Sequence, residues 1–121
     1  MLIVSMLLAG IFYHIGAQSD TRNVTDQLGR EITLTEDPKR VISLAPNSTE
    51  IIYALDQEHR LIGATRYSDY PPEALNLPRV GSYVHLDLEK IVALKPDLCI
   101  AIKDGNPIAV VKRLESFNIH V

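Results

Sequence analysis

From residue 41 onward, short apolar runs alternate with stretches whose apolar residues recur at helical spacing, and this rhythm restricts the fold more than any other feature of the sequence. The runs are Val41-Ile42-Ser43-Leu44-Ala45, Leu61-Ile62-Gly63-Ala64-Thr65, Leu98-Cys99-Ile100-Ala101-Ile102 and Ile119-His120-Val121. Each has the length of a buried strand. Between them, Ile51, Ile52 and Leu55 share a helical face, as do Leu88, Ile91 and Val92, and then Ile108, Val111 and Leu114. Consecutive parallel strands need a crossover, usually a helix, so the alternation predicts an α/β, Rossmann-like lobe with a parallel sheet and flanking helices. Pro46 stops the first run, and Asn47 with Glu50 three residues later has the pattern of a capping box. The first helix is therefore predicted to start with Asn47 as its cap, and the second with Asp87. Residues 66–83 hold Pro71, Pro72, Pro78 and Gly81, which predicts a connection and not a long regular element.

Ahead of this lobe, residues 23–26 and 31–34 read as two short strands around Leu28-Gly29-Arg30, a small β-hairpin within an N-terminal segment spanning residues 18–40. Residues 1–17 differ in kind, because all 12 basic and 15 acidic residues of the chain lie beyond them. Their apolar run is about 12 residues, where crossing a bilayer takes roughly 20, and Ile15-Gly16-Ala17 supplies small residues for cleavage. This predicts a cleaved signal peptide and a periplasmic mature chain of residues 18–121, although no Lys or Arg precedes the apolar run. The one cysteine, Cys99, lies among aliphatics and is expected to be a buried, unreactive hydrophobe. The last predicted strand, in residues 119–121, has no helix to follow it, so the chain is expected to be part of a larger molecule.

A formal net charge of −3, with no basic stripe, argues against nucleic-acid binding. The four histidines are scattered with no H-x-x-x-H spacing, and the nucleophile-elbow, phosphate-loop and dinucleotide fingerprints are all missing, so neither a zinc site nor an enzyme is expected. Binding is the better expectation. Open α/β sheets take ligands at the carboxyl ends of their strands, which here are the loops beginning near Pro46, Arg66 and Ile102. Asn47 and Ser48 lie at a helix start, where unpaired N–H groups favour an acceptor. Tyr67, Tyr70 and Tyr83 fall on the same edge, and such rings offer flat apolar area suited to a bulky planar ligand. His85 lies near Tyr83 and is read as a solvated loop residue.

The run "VTDQLGREITL" followed by "PKRVISLAPNSTEIIYAL", "GATRYSDYPPEA", "LDLEKIVALKPDLCIA" and "GN" resembles the N-terminal lobe of periplasmic substrate-binding proteins for cobalamin, siderophores and haem, over about residues 23 to 121. "YSDYPP" and "LEKIVALKPDL" are most similar to the cobalamin-binding branch. The resemblance implies two α/β lobes joined by a long linker helix, with ligand held between them and delivered to an ABC permease in the inner membrane. It implies that the chain stops before the linker helix and second lobe, acts as a monomer, and carries cobalamin as cargo and not as a resident cofactor. By the same resemblance Tyr67 and Tyr83 face the corrin ring, Asn47 and Ser48 form the first ligand loop, and Glu89 docks onto an arginine pocket of the permease. Ile102 stands where cobalamin-binding relatives carry a tryptophan, with the basic Lys103 after it; this departure leaves an iron-siderophore or haem cargo as the alternative. An orphan lobe, regulatory or without function, is a further one. Relatives that bind bare zinc or manganese place a histidine just after the first strand, where this chain has Asn47 and Ser48.

Overall fold

The computed structural model describes residues 20–34 and 37–121; the signal-peptide reading of residues 1–17 lies outside the described residues. The chain opens with an antiparallel hairpin, β1 (Arg22–Thr25) and β2 (Glu31–Leu34), registered so that Arg22 faces Leu34 and Thr25 faces Glu31. Asp26 builds the turn: its Oδ1 accepts from the N–H of Leu28 at 2.8 Å and of Arg30 at 2.9 Å. Gly29 closes it at φ +75°, a conformation that glycine adopts without strain. Burial alone would push the Asp26 carboxyl pKa up, but hydrogen bonds from the Arg30 and Leu28 amides and the Arg30 guanidinium outweigh this and hold it below its ordinary value. The same guanidinium ties the hairpin to the lobe, with Nη1 2.5 Å from Glu115 and Nη2 donating to the Val121 carbonyl at 3.0 Å.

The lobe is a three-stranded parallel sheet in the order β4-β3-β5, from β3 (Val41–Ser43), β4 (Leu61–Ala64) and β5 (Leu98–Ile100). Side chains alternate across a strand, and the core follows that alternation. Val41 packs with Leu61 and Ile52 of α1 (Pro46–Ala54) on one face. Ile42 packs on the other with Ile91 of α2 (Leu88–Ala93) and Val111 and Leu114 of α3 (Ile108–Ser116). Single bridges extend the sheet at both edges, Ala64 to Arg79 and Leu98 to His120. The predicted α/β architecture with its preceding hairpin is thus the one observed.

Local details differ from expectation. The predicted strand at residues 119–121 is a one-residue bridge, with Cys99 N–H donating to the His120 carbonyl at 2.8 Å. Asn118, at φ +60°, turns the chain out of α3 just before this bridge. The strands also stop at Ser43 and Ile100, before the ends of their apolar runs. The Leu44 N–H still donates to the Ile100 carbonyl at 2.9 Å, and beyond it a side chain takes the backbone hydrogen bonds, as described below. Asp87 caps α2 as predicted, accepting from the Lys90 N–H at 3.1 Å. Cys99 is 1% exposed, and burial pushes its thiol pKa up to about 12.

Candidate functional site

The helix after β3 covers one face of the sheet and the helix after β5 covers the other, so neighbouring strands send their chains apart and a crevice opens between their carboxyl ends. One side chain fills it. Asn106 is 7% exposed and makes three hydrogen bonds: Nδ2 donates to the Leu44 carbonyl at 2.9 Å and the Tyr83 carbonyl at 2.8 Å, and Oδ1 accepts from the Ile102 N–H at 2.7 Å. A single amide joins the loop after β3, the loop before α2 and the loop after β5. In the sequence Asn106 appeared only in the "GN" of the family resemblance, with no role assigned to it. Its legible signal was an amide between glycine and proline at the start of a helix, but the partners lie 62 and 23 residues away.

Gly105 brings two predicted site residues together. A Cβ built on it would lie 2.6 Å from Ile102 Cδ1 and 3.2 Å from Tyr83 Cδ2, so the Ile102 side chain and the Tyr83 ring pack over a position that only hydrogen fits comfortably. Tyr83 remains 38% exposed. Its loop is shaped by Gly81, at φ +93°, where a Cβ would meet the His85 carbonyl oxygen at 2.3 Å and the Asp87 nitrogen at 2.9 Å. Lys103, exposed, follows Ile102 at the mouth of a groove of about 510 Å³ that Leu28, Arg30 and Ile108 also line.

The loop carrying Tyr67 is held differently. Thr49 Oγ1 lies 2.9 Å from Ser43 Oγ and 3.1 Å from Ser68 Oγ, and Ser68 Oγ lies 2.8 Å from Thr65 Oγ1. All four hydroxyls are buried. Arg79 adds two bonds from Nη1, to the Thr65 carbonyl at 2.7 Å and the Ser68 carbonyl at 3.0 Å. On this base Tyr67 and Tyr70 stand out at 60% and 67% exposed, against the burial expected of aromatic rings without a partner.

Asn47 and Ser48 require a correction. The N-cap of α1 is Ala45, with no side-chain cap bond, and Pro46 takes the first helical position. Proline at that position loses no helical hydrogen bond and has its φ preset for the helix, so the helix starts two residues earlier than the capping-box pattern predicts. Asn47 lies inside the helix and its Oδ1 accepts from the Ser48 N–H at 2.9 Å, which consumes a donor that the open helix start was expected to offer. Asn47 is exposed at the mouth; Ser48 is 6% exposed and belongs to the packed side of the turn. Glu89 is exposed in the first turn of α2, and His85 is exposed with its N–H bonded to Ser82 Oγ at 3.0 Å.

The arrangement is thus a rim of braced loops that carry the exposed Tyr67, Tyr70 and Tyr83, with no nucleophile and base in hydrogen-bond reach of one another among the described site residues. Such a surface stacks on a flat ligand and leaves its other face open. Residues 41–117 match the family model described as periplasmic binding protein. The chain is similar to a vitamin B12-binding protein of Pectobacterium carotovorum, 48% identical over 84 residues, which are 69% of this chain and 30% of that protein. Among solved structures it is similar to the periplasmic vitamin B12 binding protein BtuF of Vibrio cholerae (TM-score 0.65, 44% identity, 69% of this chain and 32% of that one). It is also similar to a periplasmic heme binding protein from Pseudomonas aeruginosa (TM-score 0.67, 33% identity, 70% and 30%). The chain therefore spans about a third of the length of these relatives.

Proposed function

Because the chain belongs to the periplasmic binding protein family, we propose that it forms the N-terminal half of a corrinoid-capturing cleft in the periplasm, within the solute-binding component of an ABC importer. The observation that carries this reading is the exposed ring of Tyr83, packed over Gly105 beside Ile102, on a residue whose backbone carbonyl is held by Asn106. An aromatic ring held rigid before the ligand arrives loses little entropy on stacking, which is how a binding protein gains affinity without a deep pocket. Tyr67 stands at the same mouth on its own braced loop and extends the platform. Asn47 and Lys103 flank it with polar groups. The similarity to vitamin B12-binding proteins supports a corrinoid as the cargo.

Glu89 is assigned to docking on the permease. It is an exposed carboxylate beside the mouth, free to meet an arginine pocket, and charges of this kind set orientation and association rate. Catalysis has no part in the reading; the chain captures and delivers. A haem or ferric siderophore cargo is the second reading, and the aliphatic Ile102 beside Tyr83 favours it, since one stacking wall is then missing.

The chain has no tryptophan, so its intrinsic fluorescence reports on tyrosine alone. Titrating cyanocobalamin into the chain is expected to quench that emission saturably. Silence with cyanocobalamin, together with saturable quenching by haemin or a ferric siderophore, transfers the assignment to the second reading. For docking, Glu89→Ala is expected to leave the quenching curve unchanged and to slow delivery to permease-containing vesicles; equal delivery removes Glu89 from the docking surface.

A further inference from the structure

A second groove, of about 430 Å³, is lined by residues that include Arg66, Arg79, His85, Asp87, Lys90 and Val110. It is built from four separate parts of the chain: the loop after β4, the segment before α2, α2 itself, and Val110 of α3. Arg66 and Gly81 bring the first two together, with Arg66 N–H donating to the Gly81 carbonyl at 2.7 Å. Their charges do not cancel. Arg79 is fixed by its two carbonyl bonds, and its Nη2 is 3.8 Å from Asp69, a carboxylate 59% exposed to solvent that screens it. Lys90 Nζ is 3.6 Å from Asp87 Oδ2, while Asp87 Oδ1 is committed to capping α2. Arg66 has no ion-pair partner among the described residues. Three cations and an imidazole thus face one carboxylate, in a chain whose net charge is −3.

The groove is joined to the rim through the backbone. Tyr67 directly follows Arg66, and Tyr83 precedes Val84 and His85, which also line the groove. A ligand held at these two loops therefore lies next to the segments that carry the cations. Nitrogen groups converging from three directions match an oxyanion with oxygens on several sides; a planar carboxylate is satisfied by the fork of one arginine. We infer that this groove receives a phosphate group on an arm of the cargo. The inference rests on the stacking reading of the rim and deepens it: the rings hold the flat body, and Arg66, Arg79 and Lys90 select for a phosphate-bearing arm.

The test has two arms on the isotopically labelled chain, each comparing wild type with the double variant Arg66→Ala, Lys90→Ala. Arg79 is left intact because it braces the Tyr67 loop. In the first arm, pyrophosphate titrated at low ionic strength is expected to shift the amides of Arg66, His85 and Lys90 saturably, with affinity falling about tenfold in the double variant. Shifts spread without saturation over all basic residues, or unchanged in the variant, overturn the groove as a phosphate site. In the second arm, cyanocobalamin, which carries a phosphodiester, is compared with dicyanocobinamide, which does not. The double variant is expected to lose several-fold in affinity for the first and none for the second. Equal loss for both, or for neither, overturns the assignment to a cargo arm and marks the groove as a site for free phosphate. If neither corrinoid binds the wild-type chain while pyrophosphate still saturates, the rim reading has failed and the cargo-arm assignment falls with it, a result distinct from failure of the groove.

Discussion

The two loops that present Tyr67 and Tyr83 are braced on opposite principles. Four buried hydroxyls and Arg79 share the work beneath Tyr67, and three of the hydroxyls, those of Ser43, Thr49 and Ser68, keep a second partner if one is lost. Beneath Tyr83 one amide, Asn106, carries three bonds to three loops, and one glycine permits the turn. Distributed bracing tolerates substitution, whereas concentrated bracing gives a stiffer platform that one substitution removes. The difference also appears in exposure: Tyr67 projects at 60%, but Tyr83 is half sunk at 38% against Gly105 and Ile102.

The largest break in this contrast is expected from Gly81→Ala. The new Cβ would meet backbone atoms at 2.3 and 2.9 Å, which cannot rotate away, in a conformation that alanine disfavours. A loss of about 4 kcal/mol in denaturant-derived stability is expected; a loss under about 1 kcal/mol would show that the turn relaxes freely. Asn106→Ala is next, at about 3 kcal/mol, because it leaves two carbonyls and one N–H of buried or half-buried backbone without their partner. It should also lower corrinoid affinity, since the Tyr83 loop comes free of the loops after β3 and β5.

The rings themselves separate the two loops at smaller cost. Tyr83→Ala is expected to weaken corrinoid binding by about 2 kcal/mol, as loss of a stacking surface does. Tyr67→Ala should weaken it by about 1 kcal/mol, because a ring with fewer neighbours is less pre-ordered. Isothermal titration of the two variants decides the order, and a larger effect at Tyr67 reverses the comparison. The smallest effect is expected at Thr49→Val, about 1 kcal/mol of stability with corrinoid affinity unchanged, since Ser43 retains its bond to the Ala45 carbonyl and Ser68 its contact with Thr65. A loss as large as that of Asn106→Ala would mean that the hydroxyl network is not redundant.

The parts of this molecule that were legible in the sequence depend on near neighbours. The hairpin turn is made by Asp26, Gly29 and Arg30 within five residues, and the Asp87 cap reaches only to Lys90. The first helix was placed two residues late because two local signals competed: the Asn47-to-Glu50 pattern marks a cap, but a proline just before it preset the helical turn earlier. The end of the sheet at which the loops after the strands gather was also legible, because a parallel sheet directs every crossover loop to the same end.

Alternating apolar runs determined the layered α/β arrangement by themselves, since strand and helix periods each expose a single apolar face that must find the other. Resemblance in the motifs around Tyr67, Tyr83 and Glu89 pointed to the family. Tertiary structure alone decided how the mouth is held: that Asn106 closes the crevice, that Gly105 seats Ile102 beside Tyr83, and that three cations from distant segments share one groove. The physical reason is range. A periodic pattern records which face of an element is buried, but a hydrogen bond between residues 62 apart exists only once the sheet has fixed where both ends of the chain lie.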